Sequence, residues 1–305
     1  MKKFWIGLTT LAFIAIGAVA LGKFAPAMSQ QLTKPVFKLC TAGKDGNYMR
    51  VGHILKKNVS SVDVQPIPTE GSIDNLGKLV RGECDGAFVQ SDSMLVYSAT
   101  NAAAISSIER AGVLYQEQVH LVCNRAAGIK RIVDLKPSHK VAVGKDGSGP
   151  QTTMAGFKLA DKKLYGNVQT DPKDGVRALA AVADGSEVQC MLYVAAIGAP
   201  LMKSDAAKLG DQIVLVAADD RDMARTAKDA RGKTVYSYGE IPSGTYPGIQ
   251  PSGMIGTKTV DTIQVDALFV GSTKWIEANG DAYSAILRGF ANSKAEINTR
   301  ILGLK

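Results

Sequence analysis

Apolar and polar positions fall into two stretches that carry the same order of elements. The first opens on the apolar run VFKLCTA and continues into Gly43-Lys44-Asp45-Gly46; the second opens on KVAV and continues into Gly144-Lys145-Asp146-Gly147. After the first tetrapeptide, Tyr48, Val51, Ile54 and Leu55 recur at helical spacing on one face. A short strand follows, VDVQPI in one stretch and NVQT in the other. Then comes a second helix, Ile73 to Arg81 and Gly175 to Ala183, each stopped by a glycine, Gly82 and Gly185. DGAFVQ and VQCMLYV close the two stretches as third strands. The spans 43–82 and 144–185 agree to within about two residues at an offset of about 100, so the shared tetrapeptide is not a coincidence of four letters.

Two β-α-β-α-β units predict an α/β fold of two lobes, each a mainly parallel sheet with helices packed on it. Right-handed crossovers place the strand-to-helix turns at the carboxyl edge of each sheet, where open α/β sheets bind ligands. Two longer runs break the symmetry, VLYQEQVHLVC (residues 113–123) and TVDTIQVDALFV (residues 259–270). They are expected to be hinge strands between the lobes, with residues 271–305 returning as helices to the first. Lobe I then comprises residues 31–121 plus 262–305, and lobe II residues 122–261.

The turns carry the candidate chemistry. A glycine-rich turn ahead of a helix exposes backbone N–H groups and the positive end of the helix dipole, which suits a carboxylate or phosphate. Gly46, Gly147 and Gly149 supply such backbone. Thr41 and Asn47 flank the first turn with neutral donors, and Tyr48 offers a phenol or a stacking face. Ser148 and Thr152 stand in the same relation to the second turn. Gly71 and Ser72 open the helix at Ile73, although a plain N-cap would explain Ser72. Gln90 and Ser91 follow the third strand of lobe I, and Tyr193 lies in the third strand of lobe II. Lys44 and Lys145 either add charge or face solvent, while Asp45 and Asp146 read as caps or turn formers.

Catalytic signatures are missing. A phosphate loop would need glycine at His139 and a hydroxyl at Asp146, and G-x-G-x-x-G fails at Thr152. There is no G-x-S-x-G, no S-x-x-K and no acid pair beside a histidine. No catalytic residue, metal ligand or cofactor is expected, and the chain is read as a binding protein. Its four cysteines, Cys40, Cys84, Cys123 and Cys190, are scattered without a C-x-x-C pair and away from the three histidines. Three of them sit in apolar strand-like runs, so buried free thiols are expected, with one disulfide as the alternative.

Lys2 and Lys3 precede an uncharged run from Phe4 to Gly22, and Ala25-Pro26-Ala27 has the small residues of a cleavage site. Residues 1–27 read as a secretory signal, or as an uncleaved anchor, placing the remainder in the periplasm. The segment removes three lysines and no acid from a chain of net charge +8. The mild excess that remains has no basic run, which argues against nucleic acid and at most favours an acidic ligand.

The chain resembles the TAXI family (TRAP-associated extracytoplasmic immunogenic proteins), the solute-binding subunits of certain tripartite ATP-independent periplasmic transporters. The matching segments are TAGKDGNYMRVG (41–52), GSIDNL (71–76), CDGAFVQSDS (84–93), VAVGKDGSGPQTT (141–153) and IPSGTYPGIQ (241–250). The resemblance implies a type II periplasmic binding protein fold that closes on a small carboxylate, such as an amino acid or keto acid, and delivers it to TRAP membrane subunits. It implies binding roles for Thr41, Gly46, Asn47, Tyr48, Gln90, Ser91, Gly147, Ser148 and Gly149. A monomer is expected, and a periplasmic sensor partnering a membrane kinase is the alternative use of the same pocket. Lys44 and Asp45 stand where the family has a small residue and a glycine, Gln189-Cys190 where it has Asp-Ala, and Pro150 where it often has threonine. The first change lies beside the presumed pocket, which leaves ligand identity open.

Overall fold

The computed structural model describes residues 34–303, so the proposed signal segment lies outside the described residues. In the first lobe, β1 (Val36–Cys40), α1 (Asn47–Asn58), β2 (Asp63–Ile67), α2 (Ser72–Val80) and β3 (Gly86–Gln90) follow one another, and α3 (Ser91–Asn101) starts directly from β3. β1 pairs in parallel with both β2 and β3. After the long strand β4 (Ile108–Asn124), the second lobe repeats the pattern. It runs β5 (Lys140–Ala142), α4 (Gly149–Ala160), α5 (Lys162–Tyr165), β6 (Gln169–Asp171), α6 (Gly175–Asp184) and β7 (Cys190–Ala195). Here β5 pairs in parallel with β6 and β7. The remaining elements are β8 (Ile213–Val216), α7 (Arg221–Thr226), β9 (Tyr236–Ile241), β10 (Val260–Ser272), α8 (Thr273–Ala278) and α9 (Gly280–Leu302).

The two parallel sets are not separate sheets. β4 and β10 run antiparallel to each other and join them into one ten-stranded sheet, whose main path is β2-β1-β3-β10-β4-β7-β5-β6 with β8 beside β4 and β9 beside β10. The first half of β4 lies against β10, and its second half pairs with β7 and β8. β10 mirrors this, pairing with β9 through its first half and with β3 through its second. Each crossing strand therefore pairs with strands of both lobes.

Burial explains the periodicities. The buried residues of α1 include Tyr48, Val51, Ile54 and Leu55, the stripe seen in the sequence. α9 lays Ile286, Phe290 and Ile297 into the same core, where Phe37, Phe88 and Phe269 meet edge to face. The second lobe packs α4 through Met154 and Phe157 onto Val119, Leu121, Tyr236, Ile263 and Val265.

The cysteines depart from the expectation of free thiols. Cys40 is bonded to Cys84 and Cys123 to Cys190. Cys123 and Cys190 are direct partners in the β4–β7 register, and Cys40 ends β1 where the chain entering β3 passes. Both pairs are made by strand neighbours distant in sequence, which residue spacing does not reveal.

Candidate functional site

Each duplicated turn leads directly into a helix. α1 begins after Gly46 and α4 after Ser148, and neither has a side-chain cap on its first N–H groups. In the second turn Gly144 and Gly147 adopt φ near +79°, a left-handed conformation that glycine alone takes without strain. In the first turn Gly46 is extended, at φ −76°. The same tetrapeptide thus forms two different loops.

The carboxyl edges of the two lobes touch. Lys145 Nζ donates to Glu70 Oε2 at 2.5 Å. A Cβ built on Gly71 would lie 2.5 Å from the carbonyl oxygen of Gly147, and one on Gly149 would lie 2.9 Å from Gln90 Oε1. Thr153 Oγ1, one turn into α4, donates to Asp92 Oδ2 at 2.6 Å. The lobes are shut, with α3 packed on α4.

Beneath this seam, at the middle of β4, lies a buried polar cluster. Tyr115 and Glu117 alternate along the strand and are 5% and 8% exposed. Gln90 Nε2 donates to Glu117 Oε2 at 3.2 Å. Burial first, and the nearby charge of Glu117 second, raise the phenols of Tyr48 and Tyr193. The hydroxyls of Tyr48, Tyr115 and Thr152, Gln90 Oε1 and Asp92 Oδ1 are buried without a hydrogen-bond partner in the protein. Polar atoms left so cost about 1–3 kcal/mol each.

Burial dominates the titration of the cluster. It raises the Asp92 carboxyl to about 7, against the opposing hydrogen bond from Thr153, and the Glu117 carboxyl to about 8, with Asp92 adding like-charge repulsion. The phenols of Tyr48 and Tyr115 are held well above their ordinary range, by burial first and by Glu117 second. No lysine or arginine among the described residues is ion-paired with Glu117 or Asp92.

The NMT1-like family model matches residues 39–275. The chain belongs to the NMT1-like family. Two solved structures share its fold. One comes from a study of glutathione import via GshT and the cystine ABC importer TcyBC of Streptococcus mutans; it is 10% identical, covers 89% of this chain and 96% of its own, and has a TM-score of 0.53. The other is described as a putative periplasmic sulfonate-binding protein of an ABC transporter from Methylobacillus flagellatus; it is 11% identical, covers 88% and 73%, and has a TM-score of 0.50. The architecture of this NMT1-like protein is the two-lobed fold of periplasmic solute-binding proteins.

Within that fold the sequence candidates separate. Tyr48, Gln90 and Thr152 each keep a buried side-chain atom without a protein partner, Tyr193 is half-buried, and Asn47 lies beside Tyr115. Gly46, Gly71, Gly147 and Gly149 line the facing turns. Four hydroxyls are spent on the protein itself. Thr41 Oγ1 donates to Ile67 O, Ser148 Oγ to Val143 O and Ser91 Oγ to Val235 O, while Ser72 Oγ accepts from the N–H of Gln90. Ser91 also accepts from Asp266 N, so both of its hydrogen-bonding roles tie elements together.

The sequence candidates omitted Tyr115, Glu117 and Asp92. An acid inside the otherwise apolar run VLYQEQVHLVC was the available signal for Glu117. The basic residues offered little to the cluster. Lys44 and Arg50 are exposed, Lys145 is paired with Glu70, and Arg81 with Glu83.

Proposed function

We propose that this protein is the periplasmic solute-binding subunit of a TRAP-type transporter of the TAXI kind, taking up a small carboxylate by closure of lobe I (residues 31–121 plus 262–305) on lobe II (residues 122–261). The observation that carries the reading is the seam itself. Gly71 meets Gly147 and Gln90 meets Gly149 at the uncapped start of α4, close to buried side-chain atoms without protein partners on Gln90 and Asp92. Helix starts of this kind hold a carboxylate through backbone N–H groups and the helix dipole. Polar atoms from both lobes are then satisfied together only when the lobes shut on the ligand, so ligand shifts the population toward the closed form.

The choice of a TRAP partner rests on the TAXI-like segments, above all TAGKDGNYMRVG and IPSGTYPGIQ. Tyr246, within the second, has a structural duty: its hydroxyl bonds the buried His120 Nε2 at 2.9 Å and accepts from Gly198 N at 2.8 Å. Thermal-shift screening of the purified protein against amino acids, keto acids and dicarboxylates tests the receptor role. Stabilisation by one member supports it; no shift across the panel, with no small molecule retained in native mass spectrometry, overturns it. Uptake into proteoliposomes holding TRAP membrane subunits, driven by an ion gradient without ATP, tests the partner.

A further inference from the structure

We infer that the lobes part on one flank only: the flank where α3 meets α4 is a lasting clasp, and solute enters on the opposite flank, through a cavity between the 196–203 segment and the end of α9. The inference rests on the closure reading above and adds where the lobes open and where they stay joined. Alternate residues of β3 and β10 face two different cores, so the sheet of lobe I has two faces. α2, α3 and Ile105 pack on one, α1 and α9 on the other. In lobe II, α4, α7 and Tyr236 share one core, while α6 packs with Ala199, Met202 and Ala206 in another.

On the α3–α4 flank the lobes are bonded through buried groups. Arg110 Nη2 donates to Asp229 Oδ2 at 2.7 Å, and the Asp229 side chain is wholly buried. The N–H groups of Arg231 and Lys233 donate to the other oxygen of Asp229, so the loop is shaped around this carboxylate. Arg231 Nη2 in turn donates to the carbonyl oxygens of Ile105 at 2.7 Å and Ser106 at 3.0 Å. Ser91 Oγ bonds Val235 O, and Thr153 Oγ1 bonds Asp92 Oδ2. Parting this flank would strip a buried carboxylate of its cation and leave several polar groups unpaired at once, the costliest kind of loss.

The opposite flank is held by nothing comparable. Among the described residues no hydrogen bond or ion pair joins α9 to the 196–203 segment. Between them lies a cavity of about 530 Å³, bounded by Gln116 and Gln118 of β4, Gly198 and Lys203 of lobe II, and Asn298 and Leu302 of α9. Lys203 has the sign of charge that draws an anion inward. Tyr115 also stands on the wall and lies beside Asn47, the first residue of α1, so the cavity leads to one of the helix starts offered to the carboxylate. The Tyr115 hydroxyl and Gln118 Oε1 are buried without protein partners. At the seam, the ion pair of Lys145 with Glu70 is largely exposed, and such pairs hold little. The weak contacts therefore yield and the buried ones serve as the pivot.

The test is spin-label distance measurement on the full chain, shown by native mass spectrometry to carry no small molecule, with one labelled pair across each flank. Asn298→Cys with Ser204→Cys spans the cavity, and Ser106→Cys with Lys233→Cys spans the clasp; all four positions are exposed. The expected result is a population in which the cavity pair is more than about 5 Å wider than in the shut structure, while the clasp pair stays in one narrow distribution within about 2 Å of it. Should labels at the clasp disturb the fold, Ala103→Cys with Thr234→Cys, both exposed, reads the same flank. A clasp pair that widens, with or without the cavity pair, would overturn the inference and leave closure standing. Both pairs fixed at their shut distances would overturn the inference and closure together.

Discussion

Adding one methyl group at Gly71 should separate closure from folding. Gly71 has φ +133° and ψ −165°, a region reserved for glycine, so alanine there costs about 1–3 kcal/mol whether the lobes are open or shut. Only in the shut form does the new Cβ fall 2.5 Å from the Gly147 carbonyl oxygen, ~0.9 Å inside ordinary contact. Both partners are backbone, so the strain is relieved by the lobes moving apart rather than by a rotamer change. Overpacking of this size costs about 1–3 kcal/mol, which weakens ligand binding roughly 5- to 150-fold. Gly82 is the control: its φ is +73° and nothing lies within 4 Å of a Cβ, so Gly82→Ala costs about 1 kcal/mol of stability and leaves affinity alone. Urea unfolding of both unliganded variants, titration of the ligand found by screening, and small-angle scattering with and without it measure the three quantities. The reasoning fails if Gly71→Ala binds and compacts like the wild type, or if Gly82→Ala loses affinity to the same degree.

Four further outcomes follow from the structure. Removing the Cys123–Cys190 bond by paired alanines should cost about 4 kcal/mol in urea unfolding, the chain entropy of a loop closed across 67 residues; an unchanged midpoint would contradict the bond. Tyr246→Phe should lower stability by about 1–3 kcal/mol, because the buried His120 nitrogen, already depressed to about 4 by burial, and the Gly198 N–H lose their shared partner; equal urea midpoints would refute it. Tyr48→Phe removes a hydroxyl with no protein partner, so the unliganded melting temperature should hold while ligand affinity falls about 10-fold; a large drop in the unliganded melting point would instead make the phenol structural. Unliganded stability should decline as pH rises from about 4 to about 8. Asp92 and Glu117 titrate near 7 and 8 in the folded chain and near 4 when unfolded, so the folded form holds protons the unfolded form has released. Their contribution is complete below the unfolded values and lost as pH passes the folded ones. The Asp92→Asn, Glu117→Gln double variant should flatten this slope, and an equally steep slope in the variant would refute the assignment.

The local sequence determined a good deal. The stripe of Tyr48, Val51, Ile54 and Leu55, the glycine stops at Gly82 and Gly185, and the long runs of β4 and β10 were legible because helix and strand periodicities are properties of neighbouring residues. The duplication supplied what a single unit does not, two carboxyl edges of like construction. Tertiary structure decided the rest. It joined the lobes into one sheet through β4 and β10, and it brought Cys123 beside Cys190 and Cys40 beside Cys84, pairs whose partners are remote along the chain. It also sorted the polar candidates. The hydroxyls of Thr41 and Ser91 look as free in sequence as those of Tyr48 and Thr152, yet they are consumed by carbonyls of distant segments, while that of Ser148 bonds Val143 O within its own turn. Glu117 shows the converse: in a linear run it is one acid on a strand, and only the tertiary packing around that strand buries it against Gln90.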